Sequence, residues 1–249
     1  MIGFGKTHLG VVRQNNEDSI LVSNDSIGSL ENLYIISDGM GGHNAGEVAS
    51  GKAIEFFIEH VKAHEEEVTE DNLEELMRKA VEYANGSVYS ISCEDESMSG
   101  MGATFTAMSF RGGKCYIAHL GDSRAYVAKS TEICQLTDDH TYVNDLVRAS
   151  IISNEQARTH HLRNVITRAL GSEIDCQVDT CVYLVQEGDS FLLCSDGLST
   201  MLEDETIAEI VTGGGNNEDI TDKLIDLANE KGGHDNISVI MIGKGGAES

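Results

Sequence analysis

Leu33-Tyr34-Ile35-Ile36-Ser37-Asp38-Gly39-Met40-Gly41-Gly42-His43-Asn44-Ala45-Gly46-Glu47 is the stretch around which the rest of the chain is read. Its first half is an apolar run rich in β-branched residues, which predicts a buried strand. The strand ends at one acid, Asp38. Three glycines follow within four residues, and glycine lets backbone come close to a ligand. After Gly46, Val48, Ala49, Ala53, Ile54, Phe57, Ile58 and Val61 recur at helical spacing. A carboxylate held at the mouth of a strand, beside exposed carbonyls and amides, suits a hard divalent cation. The same letters also fit a plain hairpin turn, because Asp-Gly is a common turn signal.

A second stretch of the same form tips that balance. Phe191-Leu192-Leu193-Cys194-Ser195-Asp196-Gly197-Leu198 is again an apolar strand ending in Ser-Asp-Gly. Two such strands can bring two carboxylates to one place. A third acid at a strand edge, Asp235, follows Gly233-His234 and precedes the apolar run Ile237–Ile242. Near the start, Arg13-Gln14-Asn15-Asn16-Glu17-Asp18 joins strand patterns at 2–12 and 19–23. Those polar residues read either as a solvated turn or as an arginine for an anion with acids near a metal. Leu120-Gly121-Asp122-Ser123-Arg124 is explained by a tight turn alone.

Composition narrows the function classes. There are 42 acids against 17 basic residues, a net charge of −25. That argues against nucleic-acid partners and anionic membrane surfaces, both of which need basic patches. It also repels any anionic substrate at long range, so a site for one needs local positive charge from a metal or an arginine. The six cysteines include no Cys-x-x-Cys pair, and several fall in strand patterns as small apolar residues. The first residues lack the apolar core of a signal peptide, and no run approaches a membrane span. The expectation is a monomeric cytoplasmic protein. Proline is absent, so turns depend on Gly, Asn and Asp.

The remaining chain alternates cleanly. Helices are predicted at 44–64, 71–93, 204–212 and 217–231. Strands are predicted at 102–110, 114–120, 124–129, 181–186, 190–195 and 237–242. From Leu136 to Gly171 the periodicity weakens. Short helices are expected at Tyr142–Ala149 and from Ser153, and an irregular excursion of this length inside a compact domain is usually functional. His160-His161 cannot share one face at adjacent positions and read as surface residues. No linker or composition break divides residues 1–249, so one domain with a flap at 138–165 is expected.

In order along the chain, several motifs together resemble the metal-dependent protein phosphatases of type 2C, the PPM family. They are Arg13…Asn16-Glu17-Asp18, Asp38-Gly39-Met40-Gly41-Gly42-His43, Met101-Gly102-Ala103-Thr104, Gly121-Asp122-Ser123-Arg124, Asp139-His140, Thr167-Arg168-Ala169-Leu170-Gly171, Ser195-Asp196-Gly197-Leu198 and Gly233-His234-Asp235-Asn236-Ile237-Ser238. The glycine-rich form after Asp38 is similar to that of the compact bacterial branch. The resemblance implies an α+β fold, a four-layer α-β-β-α sandwich of two antiparallel sheets flanked by helix pairs. Periodicity alone gives only α+β. It implies that Asp38 bridges two Mn2+ or Mg2+ ions, that the Gly39 carbonyl binds the first, and that Asp196 and Asp235 bind the second. Glu17 and Asp18 would act through water or supporting contacts. Asp122, with Asp196, would take the third ion that bacterial relatives often show, and Arg13 would grip the phosphate. The His43 ring would donate a proton to the leaving oxygen or else hold the glycine loop.

The implied chemistry is hydrolysis of phosphoserine and phosphothreonine on proteins. Paired divalent ions lower the pKa of a shared water, which attacks phosphorus directly as hydroxide. The partners implied are phosphoproteins, those of a cognate serine/threonine kinase. Two rivals stay in view: a catalytically dead member serving as a binding module, and a two-metal hydrolase of small phosphoesters or nucleotides. The chain retains Arg13, Asp38, Asp196 and Asp235, and it has no Gly-x-x-x-x-Gly-Lys-Ser/Thr loop.

Overall fold

The computed structural model describes residues 1–41, 45–65, 68–70 and 72–243. Eighteen elements run β1 (Ile2–His8), β2 (Asp18–Ser23), β3 (Leu33–Met40), α1 (Ala45–Ala63), α2 (Leu73–Glu94), β4 (Gly102–Ala103), β5 (Phe105–Arg111), β6 (Lys114–Leu120), β7 (Arg124–Ala128), β8 (Ile133–Gln135), α3 (Tyr142–Arg148), α4 (Asn154–Arg158), β9 (Asp179–Leu184), β10 (Ser190–Cys194), α5 (Asp196–Ser199), α6 (Asp204–Thr212), α7 (Asn217–Glu230) and β11 (Ile237–Gly243). One antiparallel sheet has the order β1-β11-β10-β7-β8. The other has the order β2-β3-β5-β6-β9, with β4 beside β3.

Strand alternation builds the layers. On β3, Leu33 and Ile35 face α1 and α2, where Ala49, Ala53, Phe57, Met77, Ala80 and Ala84 cover them. Tyr34 and Ile36 face the other way, onto Phe191, Leu193, Ile240 and Ile242 of the opposite sheet. The outer face of that second sheet carries Leu192, Val239 and Met241, buried under Ile207 of α6 and Leu224 and Ile225 of α7. Three apolar seams therefore separate four layers, as the resemblance implies. Each fully buried side chain of this size contributes about 1.5–3 kcal/mol. Because β3 is covered on both faces, its sequence reads as a continuous apolar run rather than an alternating one.

Several elements differ from the sequence expectation, among them β9, which spans Asp179–Leu184 rather than 181–186. β1 ends at His8, not at residue 12: Gly10 turns at φ +81°, and Val11 and Val12 are exposed. The predicted strand over 102–110 is split at Thr104 into β4 and β5. The three-residue strand β8 and the one-turn helix α5 are additional. α3 is capped by the Thr141 side chain, which accepts from the Asn144 N–H. Ser153 caps α4 in a reciprocal capping box with Gln156. All six cysteines are free, with Cys115 and Cys194 buried and Cys93 and Cys134 exposed.

Candidate active site

The alternation that forms the seams also delivers the acids. On β3 the face holding Tyr34 and Ile36 next presents Asp38. On β2 the face holding Ile20 and Val22 begins with Asp18, and the two acids lie directly opposite in register. Both carboxyls thus point into the end of the space between the sheets. From the other sheet, Ser195 and Ser238 meet them: each hydroxyl donates to Asp18 Oδ2, at 2.9 and 2.6 Å. Asp196 follows as the first residue of α5.

The backbone around Asp38 is clamped. Its N–H donates to Thr104 Oγ1 at 2.9 Å, and its carbonyl accepts from the Thr104 N–H at 2.8 Å. Gly39 admits no side chain, because a Cβ would lie 2.0 Å from the Gly46 carbonyl oxygen at the start of α1. Gly197 is similarly fixed: a Cβ there would stand 1.9 Å from the Asn236 carbonyl oxygen. Asn236 itself staples the loop before β2. Its Oδ1 accepts from the Glu17 N–H at 2.8 Å, and its Nδ2 donates to the carbonyls of Leu9 and Asn15 at 3.0 Å.

Asp122 lies in the turn between β6 and β7 and is 7% exposed. Ser123 beside it shares a 2.7 Å hydrogen bond with Thr104, so one threonine braces both acid-bearing segments. Five acids of the predicted set meet here. Burial first, then the charges of Asp18, Asp196, Asp122 and Asp235, hold the Asp38 carboxyl well above the carboxylate range. Asp196 is raised likewise, by burial and then by Asp122, Asp235 and Asp18. Asp18 is pushed up to about 6, chiefly by burial, and Asp122 to about 7 by burial and then Asp139.

Glu17 lies to one side of this group. Its carboxyl is raised by burial, lowered by Arg13 and raised by Asp235 and Glu47. Arg13 is half exposed, and its Nη2 donates to Asp235 Oδ2 at 2.7 Å. Its partner is therefore neither Glu17 nor Asp18 but an acid 222 positions away. His43 lies outside the described residues. His160 and His161 stack on one another at 4.5 Å in the flap, outside this group.

Among the described residues, no three His, Cys, Asp or Glu side chains stand as a finished cage for an ion. Asp235 is bonded to Arg13, and Asp18 Oδ2 to the two serines. The donor set nevertheless fits divalent cations. Asp18 Oδ1 and Asp196 Oδ1 are buried oxygens without a hydrogen-bond partner, an arrangement that is costly unless a cation or water meets them. The crowded carboxyls of Asp18, Asp38, Asp122 and Asp196, all with raised pKa values, are destabilised when ionised, and positive charge among them relieves that.

For Asp18 and Asp122 the folded-state pKa exceeds the unfolded value of about 4, so in chelator their contribution to stability is full below about pH 4 and is lost as pH rises through about 6–7. Manganese stabilises the ionised form. The gain in Tm from Mn2+ over chelator is therefore expected to be larger at about pH 7.5 than at about pH 5. Calorimetric melting at both values checks this, and an equal or smaller gain at the higher pH contradicts it.

Beside the acids lies a cavity of about 400 Å³, lined among others by Asp122, Asp196, Asp139, Thr200, Arg158 and Arg163. Arg124 crosses its floor and chelates Asp139 with bonds of 2.6–3.0 Å. Thr104, Asn236, Ser195 and Ser238 all lie within quoted motifs, yet nothing in the sequence alone gave them their holding roles.

The family model described as "Protein phosphatase 2C" matches residues 4–235. The serine/threonine phosphatase stp of Listeria monocytogenes is 35% identical over 239 residues, 95% of this chain and 93% of that protein. The crystal structure of serine/threonine phosphatase Stp1 from Staphylococcus aureus superposes with a TM-score of 0.88 at 33% identity, covering 99% of this chain and 96% of that one. The catalytic domain of serine/threonine protein phosphatase PstP, solved in complex with two manganese ions, gives a TM-score of 0.82 at 33% identity over 96% of each chain. With likeness in sequence and in structure running nearly from end to end, this chain belongs to the protein phosphatase 2C family.

Proposed function

We propose that the chain, as one catalytic unit, removes phosphate from phosphoserine and phosphothreonine on proteins, and that its substrates are those of a cognate serine/threonine kinase in a cytoplasmic signalling pair. One observation carries the reading. Asp18, Asp38, Asp122, Asp196 and Asp235 meet at the open end of the inter-sheet space, with Arg13 bonded to the last of them. Asp38, the Gly39 carbonyl, Asp196 and Asp235 would hold two Mn2+ or Mg2+ ions, and Asp122 with Asp196 a third. When bound, the ions supply an activated water for direct attack on phosphorus and offset phosphoryl charge.

The chain's own residues do the rest. Thr104 and the Glu17 carbonyl, which accepts from the Gly39 N–H at 3.1 Å, fix the Asp38–Gly39 segment, so the Asp38 carboxylate is positioned before substrate arrives. Ser195 and Ser238 orient Asp18 beside it. Arg13 exchanges Asp235 for phosphate oxygens, and its planar fork can hold two of them at once. The cavity beside the acids would receive the residues around the phosphorylated side chain. Among the described residues no helix is long and apolar enough to cross a membrane.

A panel of substrates at fixed Mn2+ tests the substrate class. A phosphothreonine peptide is expected to exceed nucleotides in kcat/KM by about tenfold or more, because that cavity would contact only an extended substrate. The opposite ranking would make the chain a small-phosphoester hydrolase.

A further inference from the structure

His140 belongs to the flap root, and neither the acid cluster nor the arginine explains it. It is 1% exposed. The backbone N–H of Gly121 donates to His140 Nδ1 at 3.0 Å, and the His140 N–H donates to the Gly121 carbonyl at 2.8 Å. An N–H donor at Nδ1 means that this nitrogen carries a lone pair. The ring proton therefore sits on Nε2, which donates to Asp179 Oδ2 at 3.0 Å. Asp179 is fixed in turn by Arg168 Nη1 at 2.9 Å. On its far side the same turn has no slack. Gly121 adopts φ +111°, and a Cβ there would come within 2.6 Å of the Thr104 Cβ. The peptide just before Asp122 is thus held between Thr104 and an imidazole whose tautomer is set by Asp179.

We propose that His140 is the positioning residue for the Asp122 carboxylate: Asp179 orients the ring, and the ring fixes the Gly121 N–H, and with it the direction in which Asp122 points. The flap closes at the same place. The Thr167 N–H donates to the His140 carbonyl at 2.8 Å, and Thr141 bridges to Ile166, so the two flap roots and the Asp122 turn form one bonded junction. Nδ1 is the atom that matters here. Asn places an acceptor near the position of Nδ1, whereas Gln reaches toward Asp179 and leaves the Gly121 N–H without its partner.

This inference rests on the reading of Asp122 as a ligand of a further ion, and the test separates the two. Mn2+ is titrated calorimetrically into the full chain and into His140→Gln, His140→Asn and Asp122→Ala. Melting in chelator and activity against Mn2+ are measured in parallel. His140→Gln is expected to weaken the weakest Mn2+ site about tenfold or more, as loss of a group that orients a ligand does. It should raise the Mn2+ half-saturation of activity to match and leave the two tighter sites unchanged. His140→Asn is expected to stay within about threefold of the parent. Should His140→Gln lose its fold in chelator, Asp179→Asn, which disturbs the ring from its far side, is expected to shift the same weak site in the same direction. A weakest site lost in Asp122→Ala but unchanged in His140→Gln and Asp179→Asn overturns the role of His140 and leaves that of Asp122 standing. A weakest site that survives Asp122→Ala overturns the reading of Asp122, and the inference falls with it.

Discussion

Asp38→Asn is expected to abolish turnover and yet raise the Tm of the metal-free protein. Asn keeps the size of the side chain and can still donate toward Asp18 and Asp196. What it removes is an ionisable group from the middle of five, one whose ionisation burial and then Asp18, Asp196, Asp122 and Asp235 oppose. In chelator that repulsion works against the fold, so its relief stabilises. With Mn2+ the same carboxylate would help hold the cations, and its loss should lower kcat by more than about a hundredfold, beyond the effect typical of supporting residues. The rise in Tm on adding Mn2+ should shrink with it. For the parent that rise is about 5–10 °C at roughly a hundredfold excess over Kd. Melting with and without Mn2+, alongside turnover of a phosphopeptide, reads both signs. A variant that stays active, or one that melts lower in chelator, contradicts the central place of Asp38.

The second large effect concerns Arg13, since it tests how a protein of net charge −25 binds an anion. The long-range field opposes phosphate, so attraction must be local. Arg13 is bonded to Asp235, at the edge of the acid group and half exposed, where an incoming phosphate can displace the carboxylate. A charge-assisted hydrogen bond of this kind contributes about 1.5–3 kcal/mol, so Arg13→Ala should lower kcat/KM by roughly tenfold to a hundredfold. Arg13→Lys should be impaired less, because a point charge replaces a fork. Both KM and kcat should move, since phosphate charge is held in the ground state and redistributed in the transition state. Mn2+ affinity should not weaken, because Asp235 loses a competitor. Stability should change by less than about 1 kcal/mol, as for other exposed ion pairs. A change in kcat/KM below about threefold, roughly 0.65 kcal/mol, would remove Arg13 from phosphate binding.

These residues could be singled out before the fold was known because the signals were local. The strands that place Asp38 and Asp196 are buried on both faces, so each reads as an unbroken apolar run, and each ends in Ser-Asp-Gly. The glycines were legible for the same reason, as both lie where backbone blocks any Cβ. What stayed hidden was long-range. Asn236 reaches Glu17, Leu9 and Asn15 across more than 200 positions of sequence, and Arg13 pairs with an acid equally remote. No periodicity encodes such bonds. The error at β1 has a different cause. Val11 and Val12 continue the apolar pattern but are 66% and 59% exposed, so composition extended a strand that Gly10 ends. Three residues at the sheet edge, Ile133–Gln135, are too few for any pattern to register. The Asp122 turn reads as a plain turn until the chain is folded. Only then do Thr104 and His140 appear on either side of it.

The central claim is that hydrolysis depends on divalent cations held by the strand-end acids. Release of phosphate from a phosphothreonine peptide by the full chain, measured with Mn2+ and then in excess chelator, tests it most directly. The account predicts turnover that is lost in chelator and restored when Mn2+ or Mg2+ is returned in excess. Undiminished turnover in chelator would contradict it.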